Sequence, residues 1–377
     1  MRDMSNLDNS PALDIPQTDA KQMLNVGVDL AHKEQRSGTF VQIDHGVLHA
    51  SSQTDGLEVM NVDDALEAHP WMLDYWWKAV PKDRDEFTKA TAEQPNHGYF
   101  IRALEGAKVS YPVQACLYIR EKGLIQRVHN MIIAEEGSEL NIITGCAVSM
   151  MAPIGMHIGI SEFFVKRGAT VTFTMTHNWA EQVEARPRSV IYLEDDSVFL
   201  SNYFCFRPVK MLQMYPTAYC RGKNSVARFN SVLLAQPGSH LDVGSRAYLQ
   251  APGARTEMIA RTISKGGEII SRGHIVGEVP EVKGHLECRG MILTEKGRIY
   301  AVPELEGLVD NLDLSHEAAV GRIAEDEVQY LMSRGLTRDK ATAAIVRGFL
   351  RVDIHGLPDA LKSEIDRLME ATEGESM

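Results

Sequence analysis

Between about residue 98 and residue 310 the chain repeats itself. Short runs of alternating apolar and polar residues flank tight turns in HNMIIAEEGSELNIITG around Gly137, SEFFVKRGATVTFTMTH around Gly168 and SVIYLEDDSVFLSNYF around Asp196. The pattern returns in NSVLLAQPGSHLDVGS around Gly238, ARTISKGGEIISRGH around Gly266 and GMILTEKGRIYAVPE around Gly297. Successive turns lie 31, 28, 42, 28 and 31 residues apart. A strand-turn-strand unit of this size cannot bury its apolar face alone, so it must stack on its neighbours. Nothing between the units has the length or period of a helix, which argues against a βαβ sheet. The chain is therefore expected to be mainly β. The same strands would also serve a sandwich, but this spacing suits a coil of several short strands better, and a β-helix is the favoured architecture.

The flanks differ in character. Residues 1–57 are mixed in character and not assigned to an element, and the first sixteen, rich in Asn, Asp, Ser and Pro with no continuous apolar face, are expected to form a tail. Residues 58–97 are expected to be helical. Asp63 or Asp64 caps the first turn, Pro70 kinks or divides the segment, and Ala65, Leu66, Trp71, Met72, Tyr75, Trp76 and Trp77 form a face that needs a wall. The main body is the expected wall. The core is placed at 98–317. From 318 to 377 the period becomes helical. AEDEVQYLMSRG carries acids in its first turn, apolar Val328, Leu331 and Met332 on one face, and Gly335 as a stop. Thr337 caps a second helix with Ala341, Ile345 and Phe349 in line, and Pro358 starts a third with Leu361, Ile365, Leu368 and Met369 inward.

Composition narrows the function. A net charge of -12 sets the chain's own field against nucleic acid and anionic membranes, so neither is an expected partner. No segment has the apolar length of a membrane span, and the polar start lacks the apolar core of a signal peptide. The five cysteines (Cys116, Cys146, Cys205, Cys220, Cys288) are odd in number and form no C-x-x-C pair, which fits a reducing compartment. The protein is expected in the cytoplasm. Walker A, dinucleotide-binding, nucleophile-elbow and H-E-x-x-H motifs are all missing, so nucleotide or hydrolase chemistry of its own is not expected.

Metal chemistry is the open alternative. KGHLECRGMIL places His285 three residues before Cys288, and NLDLSHEAAV puts His316 beside Glu317, one repeat further on. Stacked coils would bring a thiolate, an imidazole and a carboxylate to one edge, a donor set suited to iron or zinc. The plainer alternatives are that Cys288 is a packed core residue and that His316 caps the following helix. Strand alternation also sends His316 and Glu317 to opposite faces, so both serve one site only if the chain turns there.

The run SHEAAVGRIAEDEVQYLMSRGLTRDKATAAIVRGFL closely resembles the carboxy-terminal signature of the SufB/SufD family, the scaffold proteins of the SUF iron-sulfur assembly system. VDDALEAHPWMLDYWW resembles the family's amino-terminal helical motif, THNW (Thr176 to Trp179) one strand, MYPTAYCRGKNSVARFNSV its Tyr-Pro strand and TISKGGEIISRGHI its Ser-Lys-Gly strand. The likeness runs from about residue 58 to residue 352. It implies a right-handed parallel β-helix between helical ends, and a SufC-like ABC-type ATPase docked on the carboxy-terminal helices through Val328, Leu331, Ile345 and Phe349. The nucleotide site would then belong to that partner, and this chain would be a scaffold and not an enzyme.

The resemblance also assigns chemistry. Cys288, His316 and Glu317 match the positions at which SufB-like scaffolds carry a Cys ahead of a His-Glu pair, which implies an iron-sulfur cluster, 4Fe-4S or 2Fe-2S, assembled transiently. One thiolate per chain is few for a cluster that normally takes four, so the site is expected at a homodimer interface near residues 285 to 317. A sulfur donor and apo iron-sulfur proteins would be further partners. The thiol that many scaffolds carry just after Tyr-Pro-Ser is missing, since Tyr215, Pro216 and Thr217 are followed by Ala218; Cys220, two residues on and on the same face, is the candidate sulfur acceptor. Two alternatives stand beside this reading. One is a SufD-like interaction subunit with no cluster of its own, and the other a β-helical carbohydrate-active enzyme, which would want export and a groove of Asp, Lys and Arg.

Overall fold

The computed structural model describes residues 15–30, 36–95 and 97–350. Among them the strands form two sheets, one of ten strands and one of eleven, facing each other across a shared apolar interior. The first sheet stacks Glu139–Val148, Thr170–Asn178, Val198–Cys205, Val226–Ala235, Arg255–Ser264, Lys283–Ile292 and Asp313–Arg322 in parallel. The second stacks Tyr99–Ala103, Ile125–Ala134, Ile154–Val165 and, after strands broken by Pro187 and Pro216, His240–Leu249, Glu268–Gly277 and Arg298–Gly307. This is the expected β-helix. Side chains alternate strictly: in Lys283–Ile292, Gly284, Leu286, Cys288 and Gly290 are buried, while Lys283 and Arg289 are exposed.

One corner of the coil explains the spacing. Residues with left-handed backbone recur at Gly106, Gly137, Gly168, Asp196, Asn224, Gly253, Glu281 and Asn311. From Gly106 to Glu281, each donates its N–H to a carbonyl at the same corner of the next coil, as Gly168 does to Asp195, Asp196 to Lys223 and Asn224 to Pro252. Gly, Asn and Asp tolerate this backbone best, which is why they dominate the corner. Gly137, Gly168 and Asp196 lie here, whereas Gly238, Gly266 and Gly297 lie at the opposite corner. The interval of 42 is the step from one corner to the other, and the repeat itself is regular.

The amino-terminal segments close the first end. Gly38–Ile43 and Gly46–Ser52 form an antiparallel hairpin whose first strand pairs in parallel with Val113–Ile119. The helix Gln17–Leu24 and the residues after it lay Met23, Val26 and Val28 on Val41, Cys116, Tyr118 and Ala147. A second layer covers the outer face of the eleven-stranded sheet, where Val62, Ala65, Met72 and Val80 pack on Phe100, Met131, Ile158, Ile160 and Phe164. The body is thus the wall that the aromatic segment needs. Its helix begins at least two residues earlier than expected: Asn61 is the cap, accepting from the Asp63 N–H, and Asp63 and Asp64 sit in the first turn. Pro70 divides the segment, starting the 3-10 helix Pro70–Asp74.

Beneath this layer lies a buried carboxylate. Glu162 accepts hydrogen bonds from the backbone N–H groups of Trp77, Ala79 and Val80, and His129 Nε2 stands 2.8 Å from it. Trp76 stacks on the His129 ring with centroids 3.7 Å apart. Desolvation lowers the His129 pKa, so the ring is neutral and donates its Nε2 proton to the carboxylate.

The chain ends, as far as it is described, in two helices, Glu325–Ser333 and Arg338–Leu350. Gly335 takes the left-handed backbone of a helix stop, and Thr337 Oγ1 caps the second helix at the Lys340 N–H. Val328, Ala341, Ala343 and Val346 are buried, and Arg338 grips Glu325 with two hydrogen bonds of 2.7 and 2.6 Å. The helix expected from Pro358 lies outside the described residues, as do residues 1–14 of the expected tail.

Candidate functional site at the carboxy-terminal end of the solenoid

The last coil has no neighbour beyond it among the described residues. Arg298–Gly307 pairs only with Glu268–Gly277, and Asp313–Arg322 only with Lys283–Ile292. Nearly all of Asp313–Arg322 is exposed, along with Tyr300, Leu308, Val309 and Val320. Each of these strands therefore presents a row of unpaired backbone groups and the open mouth of the lumen.

Cys288 points into that lumen. Its thiol is buried, and the Ser271 hydroxyl lies 3.6 Å from Sγ. Burial pushes the thiol pKa up, against the smaller opposing effects of Ser271 and Arg261. His316 is the register partner of Leu286, which faces the lumen, so it shares the Cys288 face, one rung further out and two residues back. That diagonal spans roughly 8 Å between backbone positions. The thiol and the imidazole thus border the same opening, the first inside it and the second at its rim.

Glu317 is not part of that pair. The strand runs straight through His316 and Glu317 without the turn that one shared site requires, so Glu317 faces outward above Glu287. There it takes a hydrogen bond from Arg289 at 3.1 Å, and Arg289 and Arg261 both pair with Glu287. Among the described residues no three His, Cys, Asp or Glu side chains stand together as a metal site. A single chain therefore brings together Cys288 and His316, and leaves Glu317 on the opposite face.

Cys220 lies deeper. It is fully buried, with Leu193 and Leu249 as its register neighbours, and desolvation raises its pKa to about 12. It shares the inward face with Ala218, as period two requires. On the carboxy-terminal helices, Val328 is buried within the chain, while Leu331, Ile345 and Phe349 are half-buried and retain surface for contact. A lumen cavity walled by Tyr203, Met214, Phe229, Met258, Ser271 and Cys288 leads away from the site toward the first half of the solenoid. A second group of donors, Cys146, His157, His177 and Cys205, lines that half and was not singled out from the sequence. The signal was present: Cys146, His177 and Cys205 follow one another at the 31- and 28-residue intervals of the coil.

The fold is thus a parallel β-helix with a thiol and an imidazole on one face at its uncovered end. The description "SUF system FeS cluster assembly, SufBD core domain" matches residues 117–349, more than half of the chain. An Archaeoglobus fulgidus protein named as an iron-sulfur cluster assembly SufBD family protein is 54% identical over 355 residues, covering 94% of this chain and 95% of the relative. A Methanothermobacter thermautotrophicus protein of the same name is 49% identical, covering 95% and 88%. The Bacillus subtilis iron-sulfur cluster assembly protein SufB is 26% identical, covering 95% of this chain and 78% of its own length. The chain belongs to the SufBD family of iron-sulfur cluster assembly proteins. No helix among the described residues is long and apolar enough to cross a membrane.

Proposed function

We propose that this protein is the scaffold on which an iron-sulfur cluster is built and held, between two copies joined through their last coils, in concert with an ABC-type ATPase docked on the helix pair after residue 322. The observation that carries the reading is the pairing of Cys288 and His316 on one face at the uncovered end. A thiolate is the soft ligand that iron-sulfur chemistry requires, and one chain supplies too few for a cluster. A two-fold axis at the bare strand edges doubles the thiolates and covers those edges at once. The cluster is cargo, 4Fe-4S or 2Fe-2S, assembled for transfer to apo proteins in the cytoplasm. Cys288 is held as the protonated thiol by burial, so the incoming iron must displace its proton. Glu317, on the outer face, would act through the Arg289 and Glu287 network or on the partner copy. Cys220 would receive sulfur only by a route inside the lumen.

The test is anaerobic reconstitution with iron and sulfide, read by absorption and Mössbauer spectra. Cys288→Ser is expected to keep the fold and the ATPase complex and to lose the cluster. Normal reconstitution of that variant would hand the chain to the second reading, a SufD-like interaction subunit with no cluster of its own. That reading is favoured by one observation, the burial of the Cys288 thiol with its raised pKa.

A further inference from the structure

Far from the open end, four sulfur and nitrogen donors meet inside the solenoid. Cys146 and His177 are direct register partners on adjacent strands, as are His177 and Cys205, and all three are buried and face the lumen. From the facing sheet His157 comes across, with Nε2 4.0 Å from Cys146 Sγ. Its other nitrogen is fixed: Nδ1 lies 2.9 Å from Gln126 Oε1, an acceptor, so Nδ1 carries the proton and Nε2 turns its lone pair to the thiol. His177 Nδ1 lies 2.7 Å from the Tyr203 hydroxyl, which can give or take the shared proton, and its buried Nε2 has no hydrogen-bond partner. His157, gripped at Nδ1 and with Nε2 toward the thiol, has the arrangement of a metal-ligating histidine with its outer-shell partner.

The electrostatics agree with that geometry. Desolvation lowers the pKa of His157 to about 4 and that of His177 well below its usual value, so both rings offer lone pairs at neutral pH. The same desolvation raises the Cys146 thiol, which keeps its proton until a cation displaces it. As a plain core the group is poor, since an unpaired buried ring nitrogen costs stability that an apolar residue would not.

We propose that Cys146, His157 and His177 bind one thiophilic divalent cation, Fe(II) or Zn(II), inside the first half of the lumen, at a site separate from Cys288. Binding forms one metal-sulfur and two metal-nitrogen bonds and releases the thiol proton to water, with no change of oxidation state. No three of these donors are gathered at metal spacing among the described residues, so binding requires His177 to give up its Tyr203 contact and turn about its Cβ–Cγ bond to bring Nε2 in. Cys205 cannot join them: it lies two rungs from Cys146, about 9.6 Å along the stack, whereas two thiolates on one ion stand within about 4.6 Å. Entry is at the near corner. The loop between the Cys146 and His157 strands exposes Met150 and Met151 by 79% and 85%, placing two thioethers outside the thiol and imidazoles. The proposal does not depend on the cluster reading.

Cobalt(II) titration of the full chain under anaerobic conditions tests it, performed in the Cys288→Ser background so that the open-end thiol is absent. One equivalent is expected to bind with a thiolate-to-cobalt charge-transfer band and release of one proton. Cys146→Ser should abolish the band, His177→Gln should weaken binding by about tenfold or more, and Cys205→Ser should leave both unchanged. Absence of the band, its survival in Cys146→Ser, or its loss in Cys205→Ser would overturn the site. Should Cys146→Ser fail to fold, His177→Gln decides: undiminished affinity in that variant rejects the proposal.

Discussion

The two ends of the solenoid solve the same problem in opposite ways. At the amino-terminal end the chain closes itself, with an antiparallel hairpin on one sheet, an aromatic layer on the other, and a buried carboxylate tying that layer down. At the carboxy-terminal end the last two strands each have one neighbour, and the residues that carry the proposed chemistry sit on them or one rung above. An edge left bare in a β-helix invites pairing. The contrast teaches that closure in cis belongs to stability here, and that the uncovered end is the one left open to the proposed assembly.

The sharpest way to break this contrast is at Glu162. Its replacement by Ala strands three backbone N–H groups and the His129 N–H in a dry site, and is expected to cost about 1–3 kcal/mol for each stranded donor, read by chemical denaturation. His316→Ala at the open end should leave the midpoint of the isolated chain nearly unchanged. Equal losses would remove the distinction. Acid should pick out the same half. His129, His157 and His177 have folded pKa values below the unfolded one, so the unfolded state binds more protons between them. Stability is expected to be complete above pH about 6.5 and to fall as pH drops from there toward 4. Hydrogen exchange should show its largest acid-induced loss of protection around Ile125–Ala134 and Ile154–Val165.

The next test plants a charge on the bare face. Ala318→Lys, on the exposed row below Cys288, is expected to leave the solenoid folded and to yield a monomer by sedimentation, where the parent chain is expected to be a dimer. Ending the chain after Arg322 should abolish co-purification with the ATPase while the β-rich core melts as before. Within the helix pair Phe349→Ala should weaken that complex more than Arg334→Glu, since half-buried aromatic anchors outweigh exposed charges in interfaces. Cys220→Ser should lower sulfur uptake and spare ligation at Cys288. The smallest effect is expected at the corner: Glu281→Gly relieves a left-handed backbone that suits Glu poorly, and should be neutral or stabilising by no more than about 1 kcal/mol.

The repeat made the architecture legible, because side-chain alternation and corner residues are local properties that the sequence carries openly. The irregular interval of 42 was not interpretable, since nothing local tells Asp196 from Gly238 as members of opposite corners. The opposed faces of His316 and Glu317 were foreseen from period two alone. What was lost was register. Cys288 and His316 are 28 residues apart, but Cys288 pairs with Ala318, so spacing overstated their closeness by two residues. The hairpin at Gly38–Ser52 escaped notice because its partner is Val113–Ile119, far along the chain. Glu162 escaped because a charged residue in a strand reads as surface until the layer above it is known.

The corner ladder has a last consequence. Because each corner N–H bonds to the coil that follows it, every coil is held by its two neighbours and by little else. Such a chain assembles like a zipper, seeded where the amino-terminal layer gives the first coils extra hold and running outward one coil at a time. The final coil is then the last to close and the first to fray. The proposed ligands His316 and Cys288 ride on the most loosely fastened teeth, where a second copy or an ATPase working on the helices could open and shut them at the least cost to the rest.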